Sequence, residues 1–195
     1  MSAYTRENGC IIIHRELTSL DIFVRDFLEI LNQHSKYLIV SGYVSIATGR
    51  TRGTEDVDIL VPLLDGASFQ RLFADMITHG FWCYQGDSAE EVYSYLRDFI
   101  SIRFARKGEV FPNIEFIPIA PAKKLKWFEF LNPQEMQVQG FRFFVSPLEF
   151  EILYKEIILG SPKDLADAKH LRILFSAVLN AEKFKEYGRL IDLER

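Results

Sequence analysis

The sequence predicts an α/β (α+β) chain: a mixed sheet with interleaved helices, followed by a C-terminal helical subdomain. Three observations predict it. Apolar runs of strand length, such as Tyr37-Leu38-Ile39-Val40 and Ile59-Leu60-Val61, alternate with amphipathic stretches in the first three quarters of the chain. From Pro147 onward the pattern is helical throughout. Two Ser-Pro pairs, Ser146-Pro147 and Ser161-Pro162, mark helix starts in that second part. Together they divide the chain into a sheet-bearing domain, 1–146, and a helical subdomain packed on it, 147–195.

The elements follow in order. Leu20, Phe23, Val24, Phe27, Leu28 and Leu31 share one helical face, with Thr18 or Ser19 as N-cap. "YLIV" is a short buried strand ending at Ser41-Gly42, and residues 43–48 have room for a short helix before Gly49. "DVDILVP" is a strand closed by Pro62, and "GASFQRLFADMITHG" a helix closed by Gly80. "FWCY" is a further strand, and "SAEEVYSYL" a helix or loop. "FISIRFAR" and "NIEFIPIA" are two strands joined through Lys107-Gly108. "PAKKLKWFEFLN" is helical, and "MQVQGFRFFVS" a hairpin turning at Gln139-Gly140. The tail holds three helices: Ser146 capped with Pro147 at the first position and a stop at Gly160, then one from Ser161-Pro162, then "AEKFKEYGRLIDLER".

Bulk properties exclude several classes. A chain of 195 residues with 48% hydrophobic and 26% charged residues can bury a full core. The net charge of −4 supplies no global attraction to nucleic acid or anionic lipid. Two cysteines, Cys10 and Cys83, make neither a disulfide framework nor a zinc site, and the four histidines form no ligand spacing. No secretory h-region or membrane-length apolar run is present, so a cytoplasmic location without membrane contact is expected.

The chemistry concentrates in "SGYVSIATGRTRGTEDVDILVP", Ser41 to Pro62. Residues two apart on a strand face the same side, so Asp56 and Asp58 aim together while Val57 and Ile59 enter the core. Two neighbouring carboxylates repel, and a divalent cation turns that repulsion into attraction. Hard oxygen ligands suit magnesium, which keeps positions for water and phosphate. Upstream, Ser41-Gly42 ends a strand and opens a helix, where backbone N–H groups can approach an anion. Arg50 and Arg52 lie between, placed to neutralise phosphate charge.

This arrangement resembles the signature of the nucleotidyltransferase superfamily related to DNA polymerase β, in which a G-G or G-S turn precedes an h-D-x-D-h strand. "NIEFIPIA" stands where that superfamily places its third carboxylate, giving Glu115. "VQGFRFFVSPLEFEILYKEIILGSPKDLADAKHL" resembles the closing region of minimal nucleotidyltransferases allied to AbiEii-type toxins, with their S-P-E-x-L-hh-x-K and K-D-hh-D motifs. The likeness runs from Ser41 to Leu171 and departs in three places: Ser41-Gly42-Tyr43 replaces the usual turn, Glu115 replaces Asp, and Glu149 shifts within its motif.

The resemblance implies a nucleotidyltransferase catalytic domain over 1–146. It implies NMP transfer from an NTP to a tRNA, a protein or a small molecule, with a two-metal magnesium (or manganese) site. Asp56, Asp58 and Glu115 would be metal ligands and catalytic residues. Ser41, Gly42, Arg50, Arg52, Lys155, Lys163, Asp164 and Asp167 would bind the nucleotide. An antitoxin partner and a toxin–antitoxin role follow from the same likeness, and a catalytically inactive nucleotide-binding relative is the alternative.

Plainer readings stand beside these. Asp56 and Asp58 also fit a solvent-facing strand edge, and Ser41-Gly42 a tight turn. Glu115 alternates with Ile114 and Phe116, as on the wet face of an antiparallel strand. Asp164 fits a capping box begun by Ser161. Lys155 fits a helix C-terminus, and Arg50 and Arg52 fit solvated loop charge. Lys123, Lys124 and Lys126 read either as a solvated helix face or as a patch gripping an RNA end.

Overall fold

A computed structural model describes residues 2–194. Nine strands form one mixed sheet: β1 (Tyr4–Glu7), β2 (Cys10–Ile13), β3 (Leu38–Val40), β4 (Asp56–Pro62), β5 (Phe81–Cys83), β6 (Ile102–Arg106), β7 (Asn113–Ile119), β8 (Gln134–Val138) and β9 (Phe141–Val145). Their order is β1-β2-β8-β9-β3-β4-β7-β6-β5. The helices are α1 (Ser19–Leu31), α2 (Gly42–Ala47), α3 (Gly66–Thr78), α4 (Ala89–Arg97), α5 (Lys124–Leu131), α6 (Leu148–Leu153), α7 (Pro162–Leu174) and α8 (Ala181–Leu193). None is long and apolar enough to cross a membrane.

At the centre, β4 runs parallel to β7 and antiparallel to β3. Period-2 alternation divides β4 between two environments. Val57, Ile59 and Val61 are buried in the main core with α1 and α3, through Phe27, Leu28, Phe69 and Leu72. On the opposite face Leu38, Val40, Leu60 and Ile119 pack under Trp127 and Phe130 of α5. The first turn of α1 is fixed by the expected Thr18 cap, a capping box closed by Asp21. The β8–β9 hairpin turns in two residues at Gln139 and Gly140, both with positive φ (44° and 85°), the mirror-type geometry that matches strand twist.

Three local differences from the sequence reading appear. The N-terminal hairpin β1–β2 was not expected, and it adds two strands to one edge of the sheet. The first C-terminal helix begins on Pro147 as N-cap with no side-chain cap, and the Ser146 hydroxyl is buried without a partner rather than capping. That helix also changes winding: after α6 it continues as a π-helical turn, Tyr154–Leu159, and stops at left-handed Gly160. The wider turn re-aims the side chains of Tyr154 and Lys155, an arrangement common where function needs it. The next cap is as expected, with Ser161 Oγ accepting from Asp164 N at 3.2 Å.

Candidate active site

The parallel register sets Asp58 opposite Glu115, with Asp56 two residues away on the same face. Carboxylate oxygens from Asp56, Asp58 and Glu115 all lie within 4.8 Å of one another. At an effective dielectric of about 20, each such pair repels by roughly 3 kcal/mol. Asp58 responds: burial first, then the Asp56 and Glu115 charges, push its carboxyl up to about 6, while the Ser41 side chain and Lys126 pull the other way. Three hard oxygen donors crowded on rigid, adjacent strands are a donor set that fits a divalent cation.

Arg103 is the residue that the sequence reading missed here. It stands opposite Glu115 on β6, with its Nη2 2.8 Å from Glu115 Oε2 and 3.8 Å from Asp56 Oδ2. Ser101 donates to the other Glu115 oxygen at 2.7 Å. One guanidinium against three acids leaves two negative charges uncompensated when all three are ionised, the charge of one divalent ion.

The cradle lies at the end of β3, whose Val40 is opposite Asp58. Ser41 has φ 65° and ψ −130°, a backbone region that favours glycine. The chain thus makes a glycine-type turn on a serine. Gly42 makes close approach possible for a different reason: a Cβ there would sit 2.9 Å from the Arg52 guanidinium, which lies against the turn and would have to shift. Because α2 has only six residues, an anion at this turn would meet the turn's N–H groups and Arg52 rather than a long helix dipole. Below the turn, Tyr43 donates to Asp21 Oδ1 at 2.7 Å, and Arg15 grips the same carboxylate. Burial would raise Asp21, yet Arg15, Tyr43 and Thr18 outweigh it and hold it down at about 2. This buried ionic knot fixes α2 to α1.

Ser41→Gly is expected to stabilise the fold. Relieving the strained φ contributes about 1–3 kcal/mol, and the freer unfolded glycine takes back about 0.4–1 kcal/mol, leaving a net gain of about 1 kcal/mol. Urea denaturation checks it; an unchanged or lower midpoint would show that Ser41 is unstrained.

The remaining expected residues separate into two groups. Asp167, fully buried, accepts hydrogen bonds from Arg50, Arg52 and Lys155, the last at 3.2 Å. Lys155, also fully buried, lies 3.2 Å from Glu151 Oε1 as well. Burial pushes the Glu151 carboxyl up, with Lys155 opposing it. These side chains connect α6, α7 and the loop before β4 in one ionic network. Asp164 serves the Ser161 cap and lies 4.0 Å from Lys155, at the network's margin. Lys163 is solvent-exposed and makes no ion pair among the described residues.

Architecture and acid cluster together invite comparison with known proteins. The crystal structure of an antigenic nucleotidyltransferase-like protein from Paracoccidioides brasiliensis superimposes on 93% of this chain and 91% of its own, with TM-score 0.53 and 12% sequence identity. The fold is nucleotidyltransferase-like. No protein-family model matches the sequence, and no curated protein matches it. In this nucleotidyltransferase-like frame the acids occupy the start of β4 and the adjoining part of β7, beside the Ser41-Gly42 turn.

A cavity of about 180 Å³ opens between this turn, Asp58 and the C-terminal helices. Lys126, Glu151 and Tyr154 also line it. The sequence offered Lys126 only as part of a lysine patch with Lys123 and Lys124, and did not single out Tyr154.

Proposed function

We propose that the protein is a divalent-ion-dependent nucleotidyltransferase that moves an NMP group from an NTP to an acceptor. One observation carries the reading: Asp56, Asp58 and Glu115 converge within 4.8 Å beside a glycine-type turn, in a nucleotidyltransferase-like fold.

Asp56 and Asp58 would hold the metal, with Glu115 as the third ligand. A magnesium ion bound there supplies Lewis-acid stabilisation of phosphoryl charge. The protein's own share is positional. The turn N–H groups and Arg52 orient the triphosphate, and the buried Asp167 fixes Arg50 and Arg52 in turn. Glu115 would help to activate the acceptor hydroxyl, once Arg103 and Ser101 release it.

That last condition supports a second reading, a nucleotide-binding relative without turnover, because Arg103 and Ser101 engage both Glu115 oxygens. Incubation with each of the four labelled NTPs and magnesium, against tRNA, protein and small-molecule acceptors, separates the two. Label transferred to an acceptor with release of pyrophosphate supports the enzyme. Tight NTP binding that needs no divalent ion, without transfer, supports the second reading and sinks the first.

A further inference from the structure

Lys155 is the lysine that the family resemblance assigns to phosphate, but its ammonium is sealed from solvent between Glu151 and Asp167, 3.2 Å from each. Moving it to a ligand would strand buried carboxylates, which costs about 3–5 kcal/mol per broken pair. The cavity beside Asp58 contains a different cation. Lys126 lines it together with Ser41 and Asp58, and its side chain is 27% exposed.

The surroundings of Lys126 hold its ammonium at that wall. Nζ lies 3.1 Å from Oε2 of fully buried Glu129 and 3.9 Å from the centroid of the Tyr154 ring. Burial works against the charge, yet Glu129, Tyr154 and Glu151 outweigh it and keep the lysine more basic than usual. Glu129 consumes one of three donors, and an ammonium keeps the rest for a ligand. Glu129 Oε1 has no hydrogen-bond partner among the described residues, so the pair is not closed off by further protein donors.

We propose that Lys126 binds the β- and γ-phosphates of the nucleoside triphosphate and that Lys155 is structural. This rests on the nucleotidyltransferase reading of the same site. A point-charge donor on a flexible stem suits phosphate oxygens, and Lys126 shares the cavity lining with Ser41 of the turn and Asp58.

The test compares binding of an NTP and the matching NMP, both with magnesium, to the full chain by calorimetry. Lys126→Met keeps the stem's packing on Tyr154 but strands Glu129. The double variant Lys126→Met with Glu129→Gln removes the pair together and guards against misfolding. Both are expected to weaken NTP binding at least tenfold and to leave NMP binding within about twofold, and Lys126→Arg to restore most of the loss. NTP binding within twofold of wild type in the folded double variant overturns the proposal while leaving the enzyme reading intact. Equal loss for NTP and NMP also overturns it, because phosphate-end recognition would then be excluded. Failure of the wild-type protein to bind any NTP overturns both readings together.

Discussion

Asp58→Asn is expected to make the protein more stable at neutral pH and deaf to magnesium. The folded-state pKa of Asp58 is about 6 against an ordinary 3.8. Its cause is burial beside two other acids. The native state therefore binds more protons than the unfolded chain between those two values, and stability falls as pH rises through that window. Above about pH 6 the whole penalty is present. The gap corresponds to a ceiling of about 3 kcal/mol, and solvent screening near the cavity reduces it to about 1–2 kcal/mol. Asparagine removes that charge at nearly constant shape. The melting temperature should rise by about 3–6 °C near pH 7.5 and match wild type near pH 4. If Asp58 is a ligand of the proposed metal site, added magnesium is expected to reverse the order, since ligand that binds only the native state stabilises wild type by mass action and the variant would lack one oxygen donor. Thermal melts at both pH values, with and without magnesium, read all four corners. A variant less stable than wild type at neutral pH, or equally responsive to magnesium, would refute the account of Asp58. On the proposed function, nucleotidyl transfer should fall by about two to three orders of magnitude, the scale of a lost electrostatic contact to the reacting group.

What the sequence disclosed of this site follows the distance along the chain between its parts. Asp56 and Asp58 share a face because strand geometry has period 2, and Pro62 ends their strand where expected. The turn at Ser41-Gly42 is local and was equally legible. Glu115 was ambiguous, because alternation with Ile114 and Phe116 is the same whether the exposed face is solvent or site; the β4–β7 register resolves its position. Arg103 could not be read at all. Its partnership with Glu115 depends on antiparallel register across the connection between β6 and β7, and an arginine on a strand has no one-dimensional mark of what lies opposite. Lys126 was hidden among Lys123 and Lys124, and only the packing of α5 selects it for the inner wall.

The fold was legible to a similar degree, with one signal overlooked. Asn8-Gly9 is a strong hairpin dipeptide, and both residues take positive φ, 50° and 87°. The strand before it, Tyr4–Glu7, is mostly exposed and lacks an apolar face, so alternation did not announce it. The π-helical turn has no sequence mark either, because its residues keep the apolar pattern of the helix they extend. The hairpin was thus missed at a local signal that the sequence does carry, and the π-helical turn for want of any such signal.

Asp167→Ala is expected to be the most damaging single substitution in the chain. One buried carboxylate satisfies Arg50, Arg52 and Lys155 together, so its loss leaves three cations facing one another. The two guanidinium groups are 21% and 9% exposed and can recover some water, but Lys155 cannot and falls back on Glu151 alone. Breaking a buried pair by removing one partner costs about 3–5 kcal/mol, which lowers the melting temperature of a chain this size by roughly 6–20 °C. The damage should not stop at stability. Arg52 rests against Gly42 because Asp167 holds its other side, so its release would disorganise the cradle. Asp167→Asn tests this more finely, since it keeps shape and one acceptor oxygen while losing charge. If Asp167 positions Arg52, the folded Asn variant binds an NTP several-fold more weakly at a temperature well below its melting point. If it binds as tightly as wild type there, Asp167 only stabilises, and the cradle owes its shape to the Tyr43–Asp21–Arg15 knot beneath it.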